Sequence, residues 1–158
     1  MAEFTLTGFA RELGWLALEV EKTVPTALAR AADLVAREAK REIGHYQVDA
    51  GFLPRWLRLR PRTIAEKRHL GYSPPDNPLL RTGAMRASIG YRVSAGTFEG
   101  EAEIGSNDPV ALFQERGVRG RNLPARSFLA RAVVRKEEEI VRLLGEAVGG
   151  AVGARRIP

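Results

Sequence analysis

The side chains that could carry chemistry are few. The 158-residue chain has no cysteine and only two histidines, His45 and His69. Thiol nucleophiles, disulfide scaffolds and thiolate zinc sites are therefore excluded, and a polyhistidine site within one chain lacks ligands. Neither histidine has a carboxylate and a nucleophile in company. Asp76, Glu101 and Glu103 could be drawn into a nuclease-like carboxylate cluster, but their spacing is generic and no lysine follows at a matching interval. Glu99, Glu101 and Glu103 alternate at period two, which reads as one solvated strand face. No G-x-S-x-G, G-x-G-x-x-G, Walker loop or H-E-x-x-H occurs. The expectation is a non-enzyme, with no catalytic, metal-ligating or cofactor-binding residues and no cofactor.

What the chain does have is arginine. Residues 55–135 carry 15 basic and 7 acidic side chains, net +8, and 14 of those 15 are arginine. Residues 1–54 are net −2 and residues 136–158 are neutral. A guanidinium is a planar fork that pairs bidentately with carboxylate or phosphate. The excess fits a surface that meets nucleic acid or an acidic protein. A codon preference for arginine, with the charges merely solvated, would give the same composition. Arg55, Arg58, Arg60, Arg62, Lys67 and Arg68 interleave with Trp56, Leu57 and Leu59. Contact with phosphates needs no more than such a cluster, whereas a reader of bases presents a recognisable unit such as a helix-turn-helix, and none is visible. The nucleic-acid reading is thus non-sequence-specific binding to the DNA backbone.

The elements that must position these residues follow from periodicity. Phe9, Leu13, Leu16 and Val20 have helical spacing. Leu28, Ala31, Ala32, Val35, Ala39 and Ile43 predict a long amphipathic helix over 24–43, with Thr23 as N-cap and Pro25 in the first turn. Thr63 and Glu66 form a capping-box pattern that opens a short helix ending before Gly71. A proline-rich loop spans 72–78, and a short helix follows Thr82. Two alternating runs, from Ile89 to Ala95 and from Glu101 to Ile104, flank a glycine-bounded turn and read as a hairpin, with Arg92 opposite Glu101 or Glu103. Asp108-Pro109 marks the start of a helix that ends at Gly117. Residues 118–122 make a polar loop and 123–128 an extended segment. Val133, Ile140, Leu144 and Val148 mark a second long helix from Leu129. Gly145, Gly149 and Gly153 read either as close helix packing or as a fading helix end. No apolar run reaches the roughly 18 residues that cross a bilayer, and no secretory signal is visible. The predicted fold is α+β, a hairpin packed on two long amphipathic helices. One domain is expected over 1–148, followed by a flexible basic tail over 149–158.

Three segments together resemble a known family. They are Trp56-Leu57-x-Leu59-x-Pro61-x-Thr63-x-x-x-Lys67, then residues 77–89 (NPLLRTGAMRASI), then Val110-Ala111-x-x-x-Glu115-x-Gly117 followed by residues 123–129 (LPARSFL). In this order they resemble the virion-morphogenesis proteins of tailed phages, the tail-completion, neck or tail-terminator proteins related to the G protein of phage Mu and the S protein of phage P2. The resemblance implies a ring-forming, non-enzymatic subunit, hexameric to match tail symmetry. It implies a place in the virion neck or tail after assembly in the host cytoplasm, with no membrane partner. The ring would cap the tail tube protein and meet the head–tail connector or stopper protein, with DNA passing through its channel.

The residues suit that role. Phe52, Trp56 and Leu57, beside Arg58 and Arg62, have the composition of interface hot spots, and Trp56 reads equally well as core. Arg119 and Arg121 lie on a loop expected to project. Behind Pro124, Phe128 and Leu129 are expected to dock into the core while Arg126 pairs with an acid. Thr82, Gly83, Gly117 and Pro124 are the structural positions of the motifs.

Overall fold

The computed structural model describes the backbone of residues 6–96 and 99–153 and the side chains of residues 13–96 and 99–151. The Phe9 side chain, residues 97–98 of the hairpin turn and residues 154–158 of the expected tail lie outside that description. In chain order the elements are α1 (Leu6–Glu42), α2 (Pro61–His69), α3 (Ala84–Ser88), β1 (Ile89–Ala95), β2 (Gly100–Ser106), α4 (Pro109–Arg116), a 3-10 turn (Arg119–Arg121) and α5 (Leu129–Gly153). Among the described residues this is five α-helices and one two-stranded antiparallel sheet, an α+β fold.

Most boundaries sit where local chemistry puts them. Asp108 accepts the Val110 amide at 2.8 Å and Pro109 occupies the first turn, so α4 starts as expected. The expected break between residues 21 and 24 is absent. Pro25 lies inside one continuous α1, and Thr23 does not cap. Its hydroxyl instead donates to the Glu19 carbonyl at 2.9 Å and lies 3.4 Å from the Ala147 carbonyl. A proline inside a helix costs about 3 kcal/mol. The apolar stripe that continues past it, with Ala27, Ala31 and Ala32 all buried, offsets that loss. The capping box at Thr63 does not form either. Proline disfavours helical geometry at the residue before it, and Arg60 is extended (φ −66°, ψ 145°), so α2 opens at Pro61. Glu66, the presumed reciprocal cap, pairs with Arg81 at 3.0 Å.

The chain divides into two compact units. The first comprises Met1–Ala32, Arg92–Glu103 and Glu138–Pro158. Its described core is small-residue packing of Ala27, Ala31, Ala32 and Ala151, with the Gly100 backbone against Val24 and Leu28. Arg92 pairs with Glu103 at 3.1 Å, one of the two partners expected. Gly145 and Gly149 have no atom within 4 Å of an added Cβ, so among the described residues their spacing does not serve close packing.

The second unit comprises Asp33–Tyr91 and Ile104–Glu137. Val35, Ala39 and Ile43 of α1 are buried there, as are Trp56, Met85, Ile89, Ala111, Phe128 and Ala132. Two hydrogen bonds tie distant segments together around this core. The Gly44 amide donates to the Pro78 carbonyl, and Ser88 and Ser106 share a hydroxyl hydrogen bond of 2.6 Å. Along the hairpin the alternation is only partly used: Ile89 is buried while Tyr91 and Ala95 are exposed.

Gly83 and Gly117 both need left-handed backbone, with φ of +86° and +71°. Gly83 forms the junction into α3, and the Thr82 hydroxyl receives the Ala84 amide there. Gly117 has a second constraint. A Cβ on it would lie 2.7 Å from the Ala125 amide nitrogen and 2.8 Å from the Leu123 carbonyl oxygen. Both contacts are backbone and cannot rotate away. Gly117→Ala is expected to lower stability by about 2 kcal/mol or more, whereas Gly105→Ala, where nothing lies within 4 Å, stays within about 1 kcal/mol. Paired thermal melts of the two variants check this.

Candidate functional site

The first turn of α5 organises one face of the second unit. Glu115, near the end of α4, accepts three amides from it. Its Oε2 receives Phe128 N at 2.7 Å and Leu129 N at 3.0 Å, and its Oε1 receives Ala130 N at 3.0 Å. Those amides have no partner inside their own helix, and a carboxylate is favoured at the positive end of the helix dipole. Two more bonds tighten the joint: Ser127 Oγ to the Glu115 carbonyl at 3.0 Å, and Arg126 N to the Gln114 carbonyl at 2.7 Å.

From this turn two buried guanidinium groups reach out to loop backbone. Arg131 donates to the carbonyls of Val48 and Pro54, the latter at 2.6 Å. Arg126 donates to the Leu57 carbonyl at 3.0 Å. The expected acid partner of Arg126 is thus replaced by a carbonyl. Burial lowers the pKa of both groups. The segment from Val48 to Leu57 is therefore held from beneath, with Phe52 at its tip 83% exposed.

Below this joint lies a layer of charge. Glu38 and Glu42 of α1 are buried and face Arg135 of α5 at 3.7 and 3.6 Å; Arg41 meets Glu38 at 2.6 Å. Neither carboxylate oxygen of Glu42 has a hydrogen-bond donor. Burial therefore outweighs the attraction of Arg135 and Arg131 and pushes the Glu42 carboxyl up to about 8.

On the outer surface, residues 57–60, α2, the 79–85 turn, α4 and residues 119–126 enclose a cleft of about 840 Å³. Its apolar lining includes Leu57, Leu79, Leu80, Met85 and Leu123. Seven cationic side chains line it, against one acid, Asp108, which is engaged as the α4 cap. Most of the cations are already committed. The buried Lys67 ammonium donates to the Asn77 carbonyl at 2.5 Å, and burial lowers its pKa. Arg81 pairs with Glu66. Arg58 stacks 4.4 Å from the Tyr46 ring centroid and meets Asp76 at 3.5 Å, while the Tyr46 hydroxyl donates to Asp76 and receives the Leu59 amide at 3.0 Å. Arg60 reaches the Asn122 carbonyl at 3.4 Å. Arg119 and Arg121 are exposed and have no ion pair among the described residues. The loop expected to project is in fact a closed turn: Val118 and Leu123 form a bridge, and Asn122 at φ +55° returns its amide to the Arg119 carbonyl.

The expected interface residues thus divide by burial. Phe52, Leu57, Arg58, Arg62, Arg119 and Arg121 are exposed, whereas Trp56, Arg126 and Phe128 lie inside the subunit. Arg62 stands on the outer face of α2, beyond the cleft lining. Phe128 docks as expected, and Pro124 lies in the cleft wall. Lys67, read as part of a phosphate-facing cluster, is buried. Among the described residues no three His, Asp or Glu side chains converge on a possible metal site, and Asp76 is occupied by Tyr46 and Arg58. Reading by residue type alone missed Glu115, Arg131 and Tyr46. Glu115 had one signal, its fixed place two residues before Gly117. Arg131 had another, its helical register with Phe128.

Comparison with known families supplies a class for this arrangement: it is that of a bacteriophage tail component. The chain belongs to the HK97-gp10-like family, whose model, described as "Bacteriophage HK97-gp10, putative tail-component", matches residues 8–117. The match runs from α1 through α4 to Gly117. It takes in the first two sequence segments and the Val110–Gly117 part of the third. No curated protein and no solved structure matches the chain.

Two outcomes test the site's scaffold. Glu115→Ala strips three amides of their acceptor and should lower stability by about 2 kcal/mol, read from denaturant midpoints. Glu42 releases its proton near 4.5 when unfolded and near 8 when folded. The stability linked to it is complete below pH 4.5 and drains away as pH climbs to 8, at about 1.4 kcal/mol per unit. Glu42→Gln, which cannot ionise, should flatten that slope in urea titrations run from pH 5 to 9.

Proposed function

We propose that this chain is a tail-completion or tail-terminator subunit of the phage neck, akin in role to the Mu G and P2 S proteins. In this reading it works as a hexameric ring that caps the tail tube and offers its other face to the head–tail connector or stopper, and DNA passes through the ring. The observation that carries the reading is family membership over 8–117. The surface supports it. Val110, Leu112 and Phe113 of α4 are all exposed, as are Val48 and Phe52 on the loop held by Arg131. Exposed apolar side chains together with arginines are the residue types enriched in surfaces that meet a partner. The α+β scaffold buries the ionisable groups of Glu42 and Arg131 and leaves apolar side chains such as Phe52 outside. That division suits a building block better than a catalyst.

The competing DNA-backbone reading draws on the same cleft, but most of its cations are tied to carbonyls or carboxylates of the subunit itself. Sedimentation of the purified chain should give a species of six times 17.4 kDa, and particle images should place it between tail and head. A chain that stays monomeric at every concentration and is missing from purified virions overturns the proposal.

A further inference from the structure

We infer that the arginine-lined cleft is one half of a head-to-tail contact whose other half is the acidic β2 strand of the neighbouring copy. The inference rests on the ring reading and adds the surface that would build the ring.

Four observations lead to it. The cleft holds exposed positive charge with no internal partner, at Arg119 and Arg121. The turn that carries them is fixed by the Val118–Leu123 bridge and the Arg119–Asn122 hydrogen bond. Little order remains to be imposed on binding. Second, Glu99, Glu101 and Glu103 are all exposed; Glu101 and Glu103 of β2 are two residues apart and so share one face of the strand, and Glu99 immediately precedes it. Glu99 and Glu101 have no ion pair among the described residues, and Glu103 meets only the solvent-exposed Arg92. Third, the sheet has two strands among the described residues, so β2 offers an unpaired edge. Such an edge readily takes a further partner. Fourth, each patch repels its own kind. A two-fold contact would set arginine against arginine or glutamate against glutamate, whereas a contact between unlike patches on successive copies is the type that closes into rings.

The cleft also suits a strand better than a duplex. At about 840 Å³ it has the size of a site that encloses a short segment. Its lining of Leu79, Leu80 and Met85 gains little from contact with phosphates alone.

The test compares three variants with the wild-type chain by sedimentation velocity, with melting curves to verify folding. Arg119→Glu with Arg121→Glu reverses the cleft, and Glu99→Arg with Glu101→Arg reverses the strand. Each should weaken assembly by more than about a hundredfold, because like charges then face each other. A chain with all four changes should assemble again, since the pairing is restored with its signs exchanged. Assembly of the wild type that falls as salt rises to 1 M supports the same contact. If the wild type forms rings and both reversed variants do too, this inference fails while the ring reading stands. A wild type that never assembles removes the ring reading and this contact with it. If cleft reversal abolishes duplex DNA binding and leaves assembly intact, the cleft is a nucleic-acid surface and the inference is overturned.

Discussion

A helix of 25 residues begins with amides that have no partner of their own, and here a carboxylate from another helix fills that deficit. Glu115 holds three of them. The consequence is geometric. With α4 and α5 locked end to end, Arg126 and Arg131 are fixed in depth and direction, and their guanidinium groups catch the carbonyls of Val48, Pro54 and Leu57. A loop with almost no regular structure is thereby given a defined course. Gly117 completes the joint because the chain must pass directly over Leu123 and Ala125. The family match ends at this glycine. Physically, that is where the clasp turns from α4 toward the segment it holds.

The buried charges show the other side of the same design. Arg131 gains carbonyl partners for both terminal nitrogens, leaving only its Nε without an acceptor, and sits in the interior as a hydrogen-bonding brace. Glu42, next to Ile43 at the end of α1, gains no donor and is held near neutrality by burial. A buried charge is tolerable when its hydrogen-bonding capacity is met and expensive otherwise. The same layer therefore contains one group that stabilises the joint and another that makes it sensitive to pH.

Much of the architecture was legible because its signals are local. Asp108-Pro109, the alternation around Ile89, and the apolar register from Leu129 onward are each decided within a few residues. The errors came where distant burial overrode local preference. Pro25 reads as a boundary, yet α1 runs through it into the stripe that buries Ala27, Ala31 and Ala32 beyond it. Thr63 and Glu66 have the spacing of a capping box, but Pro61 starts the helix first and Arg81 takes the glutamate. The candidate site was legible in its ingredients and not in its assembly. Arginine enrichment pointed to Arg119 and Arg121, while the closed turn that fixes them comes from backbone bonds that composition does not encode. Adjacent Trp56 and Leu57 lie one buried and one exposed, on a segment whose course is set by hydrogen bonds from Arg126 and Arg131 that residue type does not encode.

The Phe52 loop has a consequence for the free subunit. An aromatic ring left almost wholly in water loses the favourable transfer it would gain by burial, on the order of 2 kcal/mol. Arg131 keeps that ring from folding back to collect it, because both ends of its segment are tethered from within. The unassembled subunit thus stores a sticky group it cannot hide. Its formal charge of +6 supplies the countermeasure: mutual repulsion between like-charged copies opposes indiscriminate contact through that ring in dilute solution.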